Sequence, residues 1–405
     1  MPTMSRNYLL FVLSLLLSGR ILAVEFASEL EKVHDRVWLG EDYWANPMED
    51  WMVRDGRMVC VRSGTNRNIH LLTYGLGEKT AHFTTSVRLG LEKGSPKNGS
   101  AGFSIGILDQ ETRDPRASLL FGKGLVAGVK ANGKLFIGKK LAEDALTSVE
   151  DLTLRFEARP PKRGDNYILR IIALEAATDK ELSRLSSQVA NGETLVGNVA
   201  IGCNMDSGPK VKGGPKLARF WFSDWKLSGD KVEARPELAF GPILYAMHTL
   251  SRGTLNLTAQ MPPLGEKEAK KLRLDAKDKR GNWRKISETP IDSLSRTATF
   301  QVREWDHKRD IPYRVVFEQR SRKGAKKEKY YEGVIRKDPV NKREIVVAGF
   351  TGNKDTAFPN STLVKNVTIV NPDVLFFSGD QIYEDVGGYG IHRNPVDLAV
   401  LNYLR

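Results

Sequence analysis

Between Trp38 and Gly229 one device recurs: a short run of alternating apolar and polar residues, closed by a glycine-rich turn. Leu152-Thr-Leu-Arg-Phe-Glu-Ala and Tyr167-Ile-Leu-Arg-Ile-Ile-Ala-Leu show it most plainly, and His82-Phe-Thr-Thr-Ser-Val-Arg-Leu follows the same period of two. A period of two sends successive side chains to opposite faces of a strand, so each run buries one face and wets the other. Asp55-Gly56 and Asn132-Gly133 supply tight turns between such runs. Many strands at short, even spacing predict an antiparallel sandwich and exclude a helical bundle for this half of the chain.

The predicted sandwich spans residues 25–230. Its last strand, Ala218-Arg-Phe-Trp-Phe-Ser-Asp-Trp-Lys-Leu, and its early Trp51-Met-Val-Arg-Asp-Gly-Arg-Met resemble those of concanavalin-like, laminin-G-like jelly rolls. Such sandwiches often bind sugars, and Trp38, Trp44, Trp51, Trp221 and Trp225 all lie within this one. Buried aromatics are the commoner case, so most are expected in the core. No acidic pair of glycosidase character stands out. A linker, Gly229-Asp-Lys-Val-Glu-Ala-Arg-Pro-Glu, leads to a second β segment. Runs such as Thr254-Leu-Asn-Leu-Thr-Ala, Thr297-Ala-Thr-Phe-Gln-Val and Tyr313-Arg-Val-Val-Phe-Glu suit a fibronectin-like sandwich over residues 238–338.

Residues 343–405 read differently. Ile345–Ala348 and Val374–Phe377 are continuous apolar runs, the pattern of strands buried on both faces of a parallel sheet. Between them Leu363, Val367 and Val370 recur at helical spacing. This predicts one β-α-β unit, with Asp380 just past the end of its second strand, where open α/β sheets place their ligand sites. The run Ser378-Gly-Asp-Gln-Ile-Tyr-Glu resembles the Gly-Asp-x-Ile-Tyr-Glu block of alkaline phosphatase D-like metallophosphatases. That resemblance implies an exported, metal-dependent phosphatase acting on phosphate esters, with Asp380 and Tyr383 as ligands of a two-metal centre, iron and calcium by family. In that family a small β domain also precedes the core. The family's cysteine ligand is missing from Gly349-Phe-Thr-Gly-Asn-Lys-Asp, where Asn353 or Asp355 is the expected substitute. Later ligand blocks have no counterpart before Arg405. His392 is the only histidine near the motif and reads as a surface residue. The fold class expected is thus multidomain: a jelly-roll sandwich, a fibronectin-like sandwich, then the start of an α/β metallophosphatase core, the whole being an inactive amino-terminal fragment. The alternative is an extracellular glycan-binding sandwich with an inactive phosphatase remnant.

Residues 1–23 read as a secretory signal, with Arg6, an apolar stretch from Tyr8 to Leu17 and Ala23 at the cleavage site, although Arg20 leaves an uncleaved anchor open. Export to a periplasmic or extracellular location follows, with no membrane span after the signal. Two cysteines in 405 residues, Cys60 and Cys203, make no disulfide scaffold; sequence leaves open whether they pair. The net charge of +13 is concentrated between Lys267 and Arg343. In an exported protein this basic cluster reads first as a solvated hairpin and next as a contact for an anionic glycan; no nucleic-acid partner is expected.

Overall fold

The computed structural model describes residues 25–161, 166–189, 195–207, 216–352, 358–384 and 389–405. The predicted signal peptide, residues 1–23, lies outside them. Sixteen strands build the amino-terminal part. In chain order they are β1 (Glu25–Ala27), β2 (Tyr43–Asn46), β3 (Trp51–Arg54), β4 (Arg57–Cys60), β5 (Arg67–Leu76), β6 (Phe83–Leu91), β7 (Ser100–Leu108) and β8 (Lys123–Lys130). There follow β9 (Lys134–Ile137), β10 (Lys140–Ala145), β11 (Leu152–Arg159), β12 (Tyr167–Glu175), β13 (Glu181–Val189), β14 (Gly197–Cys203), β15 (Phe220–Ser228) and β16 (Val232–Ala234). They form two eight-stranded sheets. One runs β13-β12-β11-β6-β15-β4-β3, with β1 on β15; the other runs β10-β9-β8-β7-β14-β5-β16, with β2 on β5. Late strands lie between early ones, as β14 does between β5 and β7, so the two sheets interleave in the manner of a jelly roll.

The all-β sandwich expected from the alternating runs is therefore present. Its core follows the pattern directly: Leu152, Leu154, Phe156 and Ala158 of β11 are all buried, and the residues between them are not. All five tryptophans of this part are buried, Trp51 and Trp225 completely. The segment read as a linker is partly ordered onto the sandwich, because β16 pairs with Tyr74, Gly75 and Leu76 of β5.

Two smaller antiparallel sheets follow. The first, β17-β18-β21, joins β17 (Tyr245–Ser251), β18 (Thr254–Gln260) and β21 (Thr297–Val302). The second, β20-β19-β22-β23, joins β19 (Lys271–Lys277), β20 (Trp283–Pro290), β22 (Ile311–Arg320) and β23 (Lys326–Ile335). The densest part of the basic segment is the tip of the β22–β23 hairpin, which is largely exposed but anchored to the sandwich at its base. The Arg322 amide donates to the Lys32 carbonyl at 2.8 Å, and the Arg322 and Lys329 side chains pair with Asp35 and Glu41 of the sandwich. Beneath them the buried Arg36–Glu268 ion pair, 2.5 Å apart, fixes the same contact. A buried pair of this kind adds little net stability but makes the loss of one partner costly.

At the carboxyl end, β24 (Val347–Phe350) and β25 (Val374–Phe377) pair in parallel around α2 (Ser361–Val370). The expected start of an α/β metallophosphatase core is nevertheless not shown. Val374, Leu375, Phe376 and Phe377 are 46%, 53%, 58% and 44% exposed, not buried on both faces. The physical reason is the neighbourhood: a parallel strand is buried when strands flank it and helices cover both its faces. Among the described residues this sheet has two strands, and α2 buries no residue against it. The remaining helices are the short α1 (Ser118–Phe121), against the sandwich, and α3 (Val396–Leu404). α3 buries Leu401 and packs on the 3-10 turn Met48–Asp50 of the sandwich.

Candidate functional site

The outward face of the second sheet carries a cleft with convergent polar groups. The same period of two that sends Ile69, Leu71, Val199, Ile201, Phe103 and Ile105 into the core turns their sequence neighbours outward. Strand register then lines those neighbours up. Asn46 lies beside Asn68, Asn68 beside Gly202, and Gly202 beside Gly102. One row along, Trp44, His70, Ala200 and Ser104 follow each other across the same four strands. The asparagines and His70 stand at one side, and towards β7 the row shrinks to glycine, alanine and serine. The glycines answer to strand packing: a Cβ on Gly202 would sit 2.2 Å from the Arg67 carbonyl oxygen, and one on Gly102 2.2 Å from that of Ala127. The result is a floor without bulky side chains.

α1 crosses this face and makes the other wall. Asn46 Nδ2 donates to the Leu119 carbonyl at 2.8 Å and to Asn68 Oδ1 at 3.2 Å. Trp44 Nε1 donates to Asn46 Oδ1 at 3.1 Å, and Asn68 Nδ2 donates to Asn66 Oδ1 at 2.9 Å. This chain of amides holds the asparagines in fixed orientations. Phe121 closes α1 with its ring 41% exposed at the rim. Tyr389, from the chain before α3, lines the cleft as well, its ring under the guanidiniums of Arg67 (5.3 Å) and Arg405 (5.4 Å). The space enclosed is about 200 Å³.

His70 is the exceptional group. It is 3% exposed, and its Nδ1 is buried with no hydrogen-bond partner. Burial alone pushes its pKa down to about 4, so it is neutral at pH 7. A neutral imidazole has one donor and one acceptor nitrogen. An orphaned buried polar atom costs free energy. Arg67, stacked on Tyr389, is itself paired, its Nε donating to Asp50 Oδ2 at 2.7 Å. The cleft thus offers amides, a neutral imidazole, a hydroxyl from Ser104 and an exposed aromatic face.

Of the residues singled out at the carboxyl end, Asp380 and Tyr383 are among those described. Asp380 is exposed in a left-handed turn (φ 54°), and Tyr383 is exposed three residues on. Asn353 and Asp355 lie outside the described residues. His392 meets Arg62 of the sandwich at 2.8 Å. Among the described residues no group of three or more His, Cys, Asp and Glu side chains could hold a metal ion. Sequence reading missed Asn46, Asn68, His70, Ser104 and Phe121. The available signal was local and faint: in Arg67-Asn-Ile-His-Leu the polar members of the alternation are an amide and an imidazole, chemically richer than a solvent face requires.

No family model and no curated protein matches the chain. Solved structures do. The basic winged bean lectin with Tn-antigen aligns at 9% identity over 51% of this chain and 98% of its own, with a TM-score of 0.36. The VIP36 exoplasmic/lumenal domain in its Ca2+/Man3GlcNAc-bound form aligns at 7% identity over 50% and 89%, TM-score 0.29. The PL-14 alginate lyase of Aplysia kurodai aligns at 7% identity over 48% and 98%, TM-score 0.28. Identities this low and TM-scores below 0.5 transfer no residue role. The fold itself corrects the phosphatase expectation: the described residues are nearly all strand, and the α/β core that a metallophosphatase needs is not shown. The enzyme assignment and the phosphate-ester substrate fall with it.

Proposed function

We propose that this protein is a carbohydrate-binding β-sandwich and that its site is the cleft bounded by β2, β5, β14, β7 and α1. The observation that carries the reading is the buried His70, its Nδ1 unpartnered, set among fixed asparagine amides beside an exposed phenylalanine. Sugars present the complementary chemistry: hydroxyls that both donate and accept, and an apolar C–H face that stacks on an aromatic ring. The cleft is smaller than the roughly 300–1,000 Å³ of drug-sized sites, which suits a single terminal or internal sugar ring. The partner is a surface glycan met in an exported setting, periplasmic or extracellular. No helix among the described residues is long and apolar enough to cross a membrane.

The test is a glycan array probed with the full chain, followed by calorimetric titration of the best neutral and uronic-acid oligosaccharides. Phe121→Ala should weaken binding about tenfold, the worth of one aromatic contact, and leave folding unchanged. Asn68→Ala should weaken it further. Absence of any glycan binding, or binding untouched by both substitutions, overturns the reading.

A further inference from the structure

Behind the cleft floor lie two thiols that sugar binding does not use. Cys60 ends β4 in one sheet and Cys203 ends β14 in the other; they are 1% and 0% exposed. Chain path brings them together. Arg67 pairs with Cys203 in the β5–β14 ladder. The Asn66 amide donates to the Asn204 carbonyl at 2.9 Å, and Asn204 Nδ2 donates to the Gly64 carbonyl at 3.0 Å. The turn that follows Cys60 is thereby laid along the end of β14. Both cysteines belong to the one buried core, close enough that the Cys60 thiol helps raise the Cys203 pKa, and the Cys60 thiol donates to the Arg62 carbonyl at 3.2 Å. The sequence holds no third cysteine, so neither has another partner within the chain.

We propose that Cys60 and Cys203 are the site of a cystine that ties the two sheets together, formed when the chain folds in an oxidising compartment. The oxidant is a disulfide, small-molecule or protein-borne, of the kind such compartments maintain. The thiolate of one cysteine attacks the donor's S–S bond, giving a mixed disulfide and one donor thiolate. The second cysteine's thiolate then attacks the first cysteine's sulfur, forming the Cys60–Cys203 bond and expelling the second donor thiolate. The donor gains two electrons, and the two cysteine protons pass to its thiolates or to water. Burial dictates the timing. No oxidant reaches these sulfurs once the sheets have closed, and desolvation together with the nearby Cys60 thiol raises the Cys203 pKa well above its usual value, keeping that thiol protonated. Oxidation therefore precedes closure of the sandwich. A link closing a loop of about 140 residues acts mainly by restricting the unfolded chain.

The test uses the full chain produced in two ways, by secretion into an oxidising bacterial periplasm and in a reducing cytosol. Each preparation is unfolded in denaturant, alkylated with N-ethylmaleimide without reductant, and weighed intact. Periplasmic protein should carry no adduct before reduction and two after it; cytosolic protein should carry two at once. Reduction should lower the thermal midpoint of the periplasmic protein by on the order of 10 °C, an effect that the Cys60→Ser/Cys203→Ser double variant should not show. Should that variant fail to fold, the adduct count on the unaltered chain still decides. Two adducts on unreduced periplasmic protein overturn the proposal, and so does a disulfide-linked dimer on a non-reducing gel.

Discussion

Val199-Ala-Ile in β14 and Val374-Leu-Phe-Phe in β25 are short apolar runs without a polar residue, each with a glycine close by. In β14 every residue is buried; in β25 all four residues are exposed. The difference lies in what stands around them. β14 has β5 on one side and β7 on the other, the first sheet behind it and α1 against its outward face. β25 has only β24. An apolar run gains free energy in proportion to the area removed from water, and that area is supplied by neighbours rather than by the run itself. The contrast also explains why a motif that was internally consistent at the carboxyl end led to a core that is not shown, while the candidate cleft formed in the other half.

The largest effect should come from the buried side of this comparison. Trp225 is fully buried, and its Nε1 donates to Thr85 Oγ1 at 3.1 Å. Trp225→Ala should cost about 4 kcal/mol through the cavity left behind, the Thr85 hydroxyl keeping its bond to the Lys226 carbonyl. Urea unfolding of the variant against the unaltered chain measures it, and a loss below 1 kcal/mol would mean that the sandwich core is not packed as described.

Acid should act on the sandwich through His70. Its folded pKa of about 4 lies below its usual 6.5, so the unfolded chain binds a proton that the folded chain refuses. Its stabilising contribution is complete above pH 6.5, is lost progressively as the pH falls from 6.5 towards 4, and amounts to about 3 kcal/mol over that window. Unfolding free energies at pH 7 and pH 4.5 should differ accordingly, and His70→Gln should flatten this part of the profile. An unchanged slope in the variant would assign the acid sensitivity elsewhere.

The smallest effect belongs to the exposed side. Phe376→Ala removes a large aromatic side chain, as the tryptophan substitution does, yet should change unfolding free energy by less than about 0.5 kcal/mol, the range of surface positions. A cost above 2 kcal/mol would show that β25 is covered in solution and would remove the contrast with β14.

By itself the sequence determined which segments of the amino-terminal half are strands and which face of each turns inward, because both follow from a period of two that any short run displays. Leu152 to Ala158 could be oriented without knowing any partner, and so could the burial of most tryptophans. The α2 helix was legible for the same local reason. Only the tertiary structure decided that Asn46, Asn68, His70, Ser104 and Phe121 share one cleft. These residues lie up to 75 positions apart, and they meet because β2, β5, β14 and β7 are adjacent in the sheet and α1 folds across them. Strand order, and therefore the company each outward side chain keeps, is set by pairings between distant segments, and periodicity within a segment carries no information about them.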